Sequence, residues 1–245
     1  MTVVSPLISV KDVSLTYEGF GFFSKKPFTA LRGLTFDIDR GETFGVVGRN
    51  GCGKSTLLQV LADIIKPSTG TVETDKGIKR ALLSLGLGFN KQLSGRDNAV
   101  LSLMLQGASR SEAIACLQVI KDFSELGAFF ERPVKTYSSG MRSRLGFATA
   151  LESQVDLLLI DETLSVGDKS FNKKAEDAML TRISGEQTVV FVSHNADQVE
   201  RLCTRSLWLE RGEVRCVGPS QEVAAEYNSF MTELRHGAPK NRGFG

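Results

Sequence analysis

The sequence predicts an α/β fold, and three observations predict it. A short apolar run, Thr43-Phe44-Gly45-Val46-Val47, leads through a glycine-rich loop into a helical pattern. Two more apolar runs, residues 155–161 and 187–193, read as buried strands; the first ends in Asp161 and the second at Ser193-His194. Between the two strand-rich halves, residues from about 91 to 153 read as a mostly helical block, which is an inserted subdomain rather than a separate one.

The glycine-rich loop is the most informative stretch. Gly48-Arg49-Asn50-Gly51-Cys52-Gly53-Lys54-Ser55-Thr56 reads G-x-x-x-x-G-K-[ST], a phosphate-binding loop, and it sits where that motif requires, between a strand and a helix. The helix is expected over residues 57–65, ending before Pro67. Gly48, Gly51 and Gly53 carry no Cβ, so the backbone can curl and aim its N–H groups inward. The helix start adds partial positive charge toward a phosphate. By the motif's mechanics Lys54 reaches the terminal phosphates and the Ser55 hydroxyl binds Mg²⁺. A plain glycine turn is the alternative, and the Lys-Ser pair with both flanks in place argues against it. Cys52 lies near a helix start and Lys54, two features that lower a thiol's pKa, so it reads either as a reactive thiol or as a small buried cysteine that does not react.

Composition narrows the classes. At 245 residues the chain is one large domain or two small ones, and 41% apolar residues suffice for a sizeable core. The net charge of +2, from 30 basic and 28 acidic residues, gives no nucleic-acid footprint. Cys52, Cys116, Cys203 and Cys216 form no C-x-x-C pair and read as scattered reduced thiols. The first residues lack the pattern of a secretory signal, and no apolar stretch approaches the roughly 18 residues of a membrane span. A cytosolic chain, or one on the cytosolic side of a membrane, is expected.

In chain order, residues 7–17 alternate as a strand, and residues 30–40 form another before the turn at Arg40-Gly41-Glu42. Residues 18–29 between them are rich in phenylalanine, glycine and lysine. They read as rings tucked under a loop, or as an aromatic surface for a partner at a membrane boundary. Strand-like runs follow near 71–74 and 79–84, then a glycine-punctuated hinge at Leu85-Gly86-Leu87-Gly88-Phe89. Helices are expected from Ser94 to about Leu105, from the capping box Ser109-Arg110-Ser111-Glu112 to about Leu126, and from Met141 to about Ser153. Two short strands near 205–217 and an amphipathic helix over 220–234 close the pattern, with Val223, Ala224, Tyr227 and Met231 on one face.

Asp161 and Glu162 end the strand that follows the helical block. In a phosphate-loop protein the first carboxylate neutralises the metal and the second can accept a proton from an attacking water. Between the two motifs stands Tyr137-Ser138-Ser139-Gly140-Met141-Arg142, which resembles the L-S-G-G-Q signature of ABC ATPases. The resemblance runs from residue 7 to about 234. It includes the phosphate loop, the signature, Asp161-Glu162, the loop Ser165-Val166-Gly167-Asp168 and Ser193-His194, in the family's order. Ser139 and Met141 depart from the signature, and the hinge glutamine expected near residue 85 is replaced by Leu85-Gly86. These departures are shared with what the ATPase subunits of bacterial polysaccharide exporters look like.

The resemblance implies a P-loop NTPase of the ABC type: a RecA-like core, an antiparallel β subdomain and the inserted helical signature subdomain. One nucleotide-binding domain over residues 1–236 is expected, followed by a disordered tail at 237–245. It implies ATP and Mg²⁺ in the cleft, with Tyr17 stacking on adenine, His194 sensing the γ-phosphate, and Ser138 and the Gly140 backbone donating to that phosphate across a head-to-tail dimer that Asp168 bridges. Its partners are then a second copy of the chain and a separate integral membrane permease, two chains of each, at the cytoplasmic face of the inner membrane. The substrate is a lipid-linked polymer of the O-antigen, capsule or teichoic-acid type. An exporter ATPase for a lipid or drug is the nearest alternative, and a soluble ABC ATPase outside transport is a more distant one. With about ten residues left after the ATPase pattern, no separate carbohydrate-reading module is expected.

Overall fold

The computed structural model describes residues 6–18, 26–83, 89–161, 171, 173–175, 177–178 and 187–237. Nine strands form two sheets: β1 (Ile8–Tyr17), β2 (Phe28–Ile38), β3 (Thr43–Val47), β4 (Thr69–Thr74), β5 (Arg80–Leu83), β6 (Leu157–Ile160), β7 (Thr188–Ser193), β8 (Arg205–Glu210) and β9 (Glu213–Pro219) among the described residues. The antiparallel sheet has the order β2-β1-β4, and the larger one the order β5-β6-β7-β3-β8-β9. All neighbours from β5 to β8 are parallel, and β9 returns antiparallel to β8. Every residue of β3, β6 and β7 is buried. A parallel strand covered on both faces needs such an unbroken apolar run, which is why these three are legible as strands.

The two sheets share one core. Phe36 of β2 stacks on Phe44 of β3 with ring centroids 5.6 Å apart, and Leu57 and Leu61 pack into the same cluster. On the far face of the larger sheet a second cluster gathers Phe147, Phe171, Trp208 and Tyr227. A third holds the helical block together around Leu103, Ile120, Phe130 and Leu145.

Helix α1 (Lys54–Leu61) differs from the expectation at both ends. It begins three residues earlier, which puts Lys54 and Ser55 in its first turn. It stops at Leu61 because Asp63 adopts a left-handed φ of 62°, and the N–H groups of Ile64 and Ile65 both turn back to the Gln59 carbonyl. The block that follows comprises α2 (Gly95–Leu105), α3 (Arg110–Ala115), α4 (Leu117–Ser124) and α5 (Ser139–Leu151). The capping box at Ser109 and Glu112 is present in both its halves. The single helix expected from Ser109 to Leu126 is instead split at Cys116, and it ends where Glu125 takes a left-handed φ of 56°. Helix α6 (Ala196–Leu202) was not expected; Asn195 caps it by accepting from the N–H groups of Asp197 and Gln198. In α7 (Ser220–Gly237) Val223, Ala224 and Tyr227 are buried as predicted, while Met231 is only partly covered. The hinge residues 85–88, Phe20, Phe22 and Phe23 of the aromatic loop, and the tail from 238 lie outside the described residues. No helix among the described residues is long and apolar enough to cross a membrane.

Candidate functional site

The loop between β3 and α1 is pressed against the end of β8. A Cβ at Gly48 would lie 2.2 Å from the carbonyl oxygen of Leu209, so only glycine permits this approach. The Cys52 carbonyl accepts a hydrogen bond from the Gly212 N–H at 2.8 Å, and the guanidinium of Arg49 lies 3.7 Å from the Glu210 carboxylate. Within the loop, Lys54 is buried, and its ammonium donates to the carbonyls of Gly48 at 2.7 Å and Arg49 at 3.1 Å. That burial pulls its pKa below the ordinary lysine value, against the opposing charges of Cys52, Asp161 and Glu210.

The C-terminal ends of β3, β6 and β7 lie side by side, and each delivers one predicted group. From β3 comes the loop itself. Asp161 follows β6 directly, and the Ser55 hydroxyl donates to its carboxylate at 3.3 Å. Two hard oxygen donors at this spacing suit Mg²⁺, which takes one or two protein oxygens and completes its shell with water and phosphate. After β7 comes His194, exposed and held between anchored neighbours: the Asn195 N–H donates to the Ser193 hydroxyl at 3.1 Å, which donates to Gln198 at 3.0 Å. Ligands of open parallel sheets bind at these strand ends.

These groups share one cleft of about 700 Å³, which Asn50, Gly51, Gly53, Lys54, Ser55, Thr56, Asp161 and His194 line. Phe28 and Ala30 line it as well, and the sequence had not singled out either. Gly48, Arg49 and Cys52 do not line it. Tyr17 stands at its margin, with its hydroxyl 3.4 Å from the Thr56 hydroxyl. Of the two readings of Cys52, the reactive thiol is contradicted and the buried cysteine agrees with the structure. Burial raises the thiol's pKa, and this outweighs the pull of Lys54 toward the thiolate. Sequence proximity to a helix start and a lysine could not reveal that the Sγ packs beneath Gly48.

The signature residues stand apart from this cleft. Ser138 is the N-cap of α5 and is exposed; its oxygen accepts from the Met141 N–H at 3.2 Å. Ser139 is exposed, and Gly140 and Met141 are half-buried. The turn before them is fixed from below. Tyr137 is buried and donates to the Phe129 carbonyl at 2.6 Å, burial pushes its phenol up to about 12, and Arg142 donates to the Tyr137 carbonyl at 2.7 Å. Ser138, Ser139, Gly140 and Met141 are therefore not brought to the chain's own phosphate loop. Glu162 and Asp168 lie outside the described residues.

A phosphate loop on a parallel sheet, flanked by an antiparallel sheet and an inserted helical block, defines an α/β P-loop protein of the ABC ATPase type. The chain belongs to the ABC transporter family, whose domain matches residues 31–165. It is 40% identical over 216 residues to the teichoic acids export ATP-binding protein TagH of Enterococcus faecalis, covering 88% of this chain and 48% of that protein. The chain thus spans about half the length of that relative. It is 38% identical over 214 residues to the O-antigen export system ATP-binding protein RfbB of Klebsiella pneumoniae, covering 87% of both chains. Among solved structures, a dimeric ATP-binding cassette in a post-hydrolysis state with ADP and phosphate superimposes with a TM-score of 0.74 over 87% of this chain and 98% of that one. At 22% identity that likeness speaks to the fold alone.

Proposed function

We propose that the chain is the ATP-hydrolysing subunit of an exporter that moves a lipid-linked cell-surface polysaccharide across the bacterial inner membrane through a separate permease. The observation that carries this reading is the convergence of Lys54, the Ser55–Asp161 pair and His194 in one cleft, which the exposed Ser138 helix start does not line. The names of the teichoic-acid and O-antigen relatives supply the substrate class.

In this reading the loop N–H groups and Lys54 hold the phosphates of ATP, and Ser55 and Asp161 hold Mg²⁺, which offsets phosphate charge. Tyr17 stacks on the base. Glu162 takes the proton of the attacking water, and His194 contacts the γ-phosphate from the far side. A site so arranged acts by positioning and electrostatics more than by covalent chemistry. Its missing donors come from a second copy: Ser138 and the Gly140 N–H, with Ser139 and Met141 shaping the turn, complete the partner's cleft, and Asp168 bridges the two copies. ATP binding closes this head-to-tail pair and hydrolysis reopens it. Two such chains on two permease chains, peripheral to the cytoplasmic face, make the transporter, with residues 1–236 as one nucleotide-binding domain.

The test joins both halves of the reading. The chain is co-expressed with the multi-span membrane protein encoded beside it and reconstituted in vesicles with lipid-linked polymer. Mg-ATP-dependent polymer translocation that Lys54→Ala abolishes is expected. ATP turnover without any such permease or polymer dependence would leave an ATPase and overturn the export role.

A further inference from the structure

Three segments of the chain meet in one side-chain cluster: α4, α5 and the helical residues Phe171 and Lys174. Phe123 of α4 lies 5.8 Å from Phe147 of α5 and 5.8 Å from Phe171, and the last two rings are 6.2 Å apart, centroid to centroid. Two cations and a carboxylate surround the rings. The Arg144 guanidinium of α5 lies 4.9 Å from the Phe171 centroid. The Lys174 ammonium lies 4.7 Å from the Phe123 centroid and donates to the Phe123 carbonyl at 3.0 Å. Glu125 joins the two cations: one oxygen accepts from Lys174 at 2.8 Å, the other from Arg144 at 3.3 Å. Glu125 ends α4 with a left-handed φ of 56°, a conformation that glycine usually supplies there. A glutamate accepts that strain, and the carboxylate is what the position gains. Half-exposed ion pairs add little to stability, but charge-assisted hydrogen bonds are directional where apolar packing is not. The network therefore fixes how α5 and the Phe171–Lys174 pair are turned against each other.

We infer that Glu125, Arg144 and Lys174 are positioning residues for the two-copy site, holding the Ser138 helix and the chain that follows Asp168 in one register. The inference rests on the two-copy reading above, in which Ser138 and Asp168 of one chain both serve its partner. Arg144 stands six residues after Ser138 on the helix that Ser138 caps, and Phe171 and Lys174 follow Asp168 by three and six residues. Such short spans leave little slack between each anchor and the group it serves. None of the three residues lines the chain's own cleft, so they act on what the chain offers its partner. Groups ordered beforehand cost less to engage when the copies meet.

The test measures ATP turnover per chain at saturating Mg-ATP while the concentration of the full chain is raised. The half-maximal concentration reads assembly of the pair, and the plateau reads chemistry. Lys174→Met and Glu125→Gln are each expected to raise the half-maximal concentration by about three- to tenfold, the range for losing an ion pair and a cation–π contact, with the plateau little changed. Lys174→Arg should restore the wild-type value. The double variant should shift it by less than the product of the two single shifts, since both remove one contact. Mg-ADP affinity, measured by calorimetry, reads the single chain's own cleft and should be the same in every variant. An unshifted half-maximal concentration in both single variants, a shift in the double equal to the product, or a parallel loss of Mg-ADP affinity would each overturn the positioning role. A wild-type chain that sediments as a monomer with Mg-ATP and turns over at the same rate per chain at every concentration would overturn the two-copy reading, and the positioning role with it.

Discussion

The Glu210 carboxylate lies 3.7 Å from the Arg49 guanidinium, and the two differ sharply in exposure: Glu210 shows 5% of its surface and Arg49's side chain 46%. One oxygen of Glu210, Oε2, has no hydrogen-bond partner. The pair is therefore asymmetric, with the buried acid depending on the half-exposed base. Arg49→Ala strands a buried charge and should cost about 1–2 kcal/mol, below the 3–5 kcal/mol of a fully buried pair. Glu210→Gln removes the charge and leaves an arginine that water can solvate, so it should cost less. Urea denaturation of the two variants checks the order, and a more damaging Glu210→Gln would refute the asymmetry.

Gly48→Ala places a methyl group 2.2 Å from the Leu209 carbonyl oxygen, a backbone atom of the core sheet that has little room to move. A loss of about 2 kcal/mol or more is expected, with weakened Mg-ATP binding as the loop lifts from β8. Gly218→Ala, where an added Cβ meets nothing within 4 Å, serves as the control and should change neither. Equal melting curves for the two variants would contradict the tight seat of the loop.

Two substitutions separate binding from chemistry. Lys54→Ala should lose Mg-ATP binding outright, measured by calorimetry. Glu162→Gln keeps the side-chain shape but cannot take a proton, so binding should survive while turnover falls by about 10²–10⁴-fold. ATP should then trap a dimer on size-exclusion chromatography. Wild-type turnover in Glu162→Gln would remove it from the proposed role.

The Cys52 thiol, raised by burial, is protonated at neutral pH. Only the thiolate alkylates, so labelling by iodoacetamide should be slower than that of a free thiol. Below the raised pKa the thiolate fraction grows about tenfold per pH unit, and the labelling rate should rise with it. Mass spectrometry across pH 7–9 measures this; fast labelling that is flat with pH would show an ionised thiol.

Local signals carried most of the legible structure. Ser94, Ser109 and Ser138 each cap a helix within three residues of the groups they bind, so four or five letters suffice to read them. Lys54 and Ser55 were legible from the G-x-x-x-x-G-K-[ST] spacing, and Asp161 and His194 because each directly follows a strand end, where an unbroken apolar run stops. What escaped was non-local or masked by a competing pattern. Glu210 comes beneath the loop from 161 residues beyond Arg49, with no spacing to announce it. Phe28 read as part of a phenylalanine-rich loop, because only the β1–β2 register shows that it opposes Tyr17. Helix α6 was hidden by the short segment it occupies between β7 and β8, although Asn195 offered its cap.

Gly212 is a relay written wholly in main chain. Its carbonyl accepts from the Arg32 N–H of the antiparallel sheet at 2.8 Å, and its N–H donates to Cys52 in the phosphate loop at 2.8 Å. No side chain takes part, so alanine scanning of the surrounding residues would pass over it in silence. The relay breaks only by geometry. Gly212 holds a φ of 80°, and a methyl group there would meet the Ala30 carbonyl oxygen at 2.5 Å. One added carbon at this turn, on a residue that does not itself line the cleft, would therefore uncouple the small sheet from the loop without removing any polar side chain of the cleft.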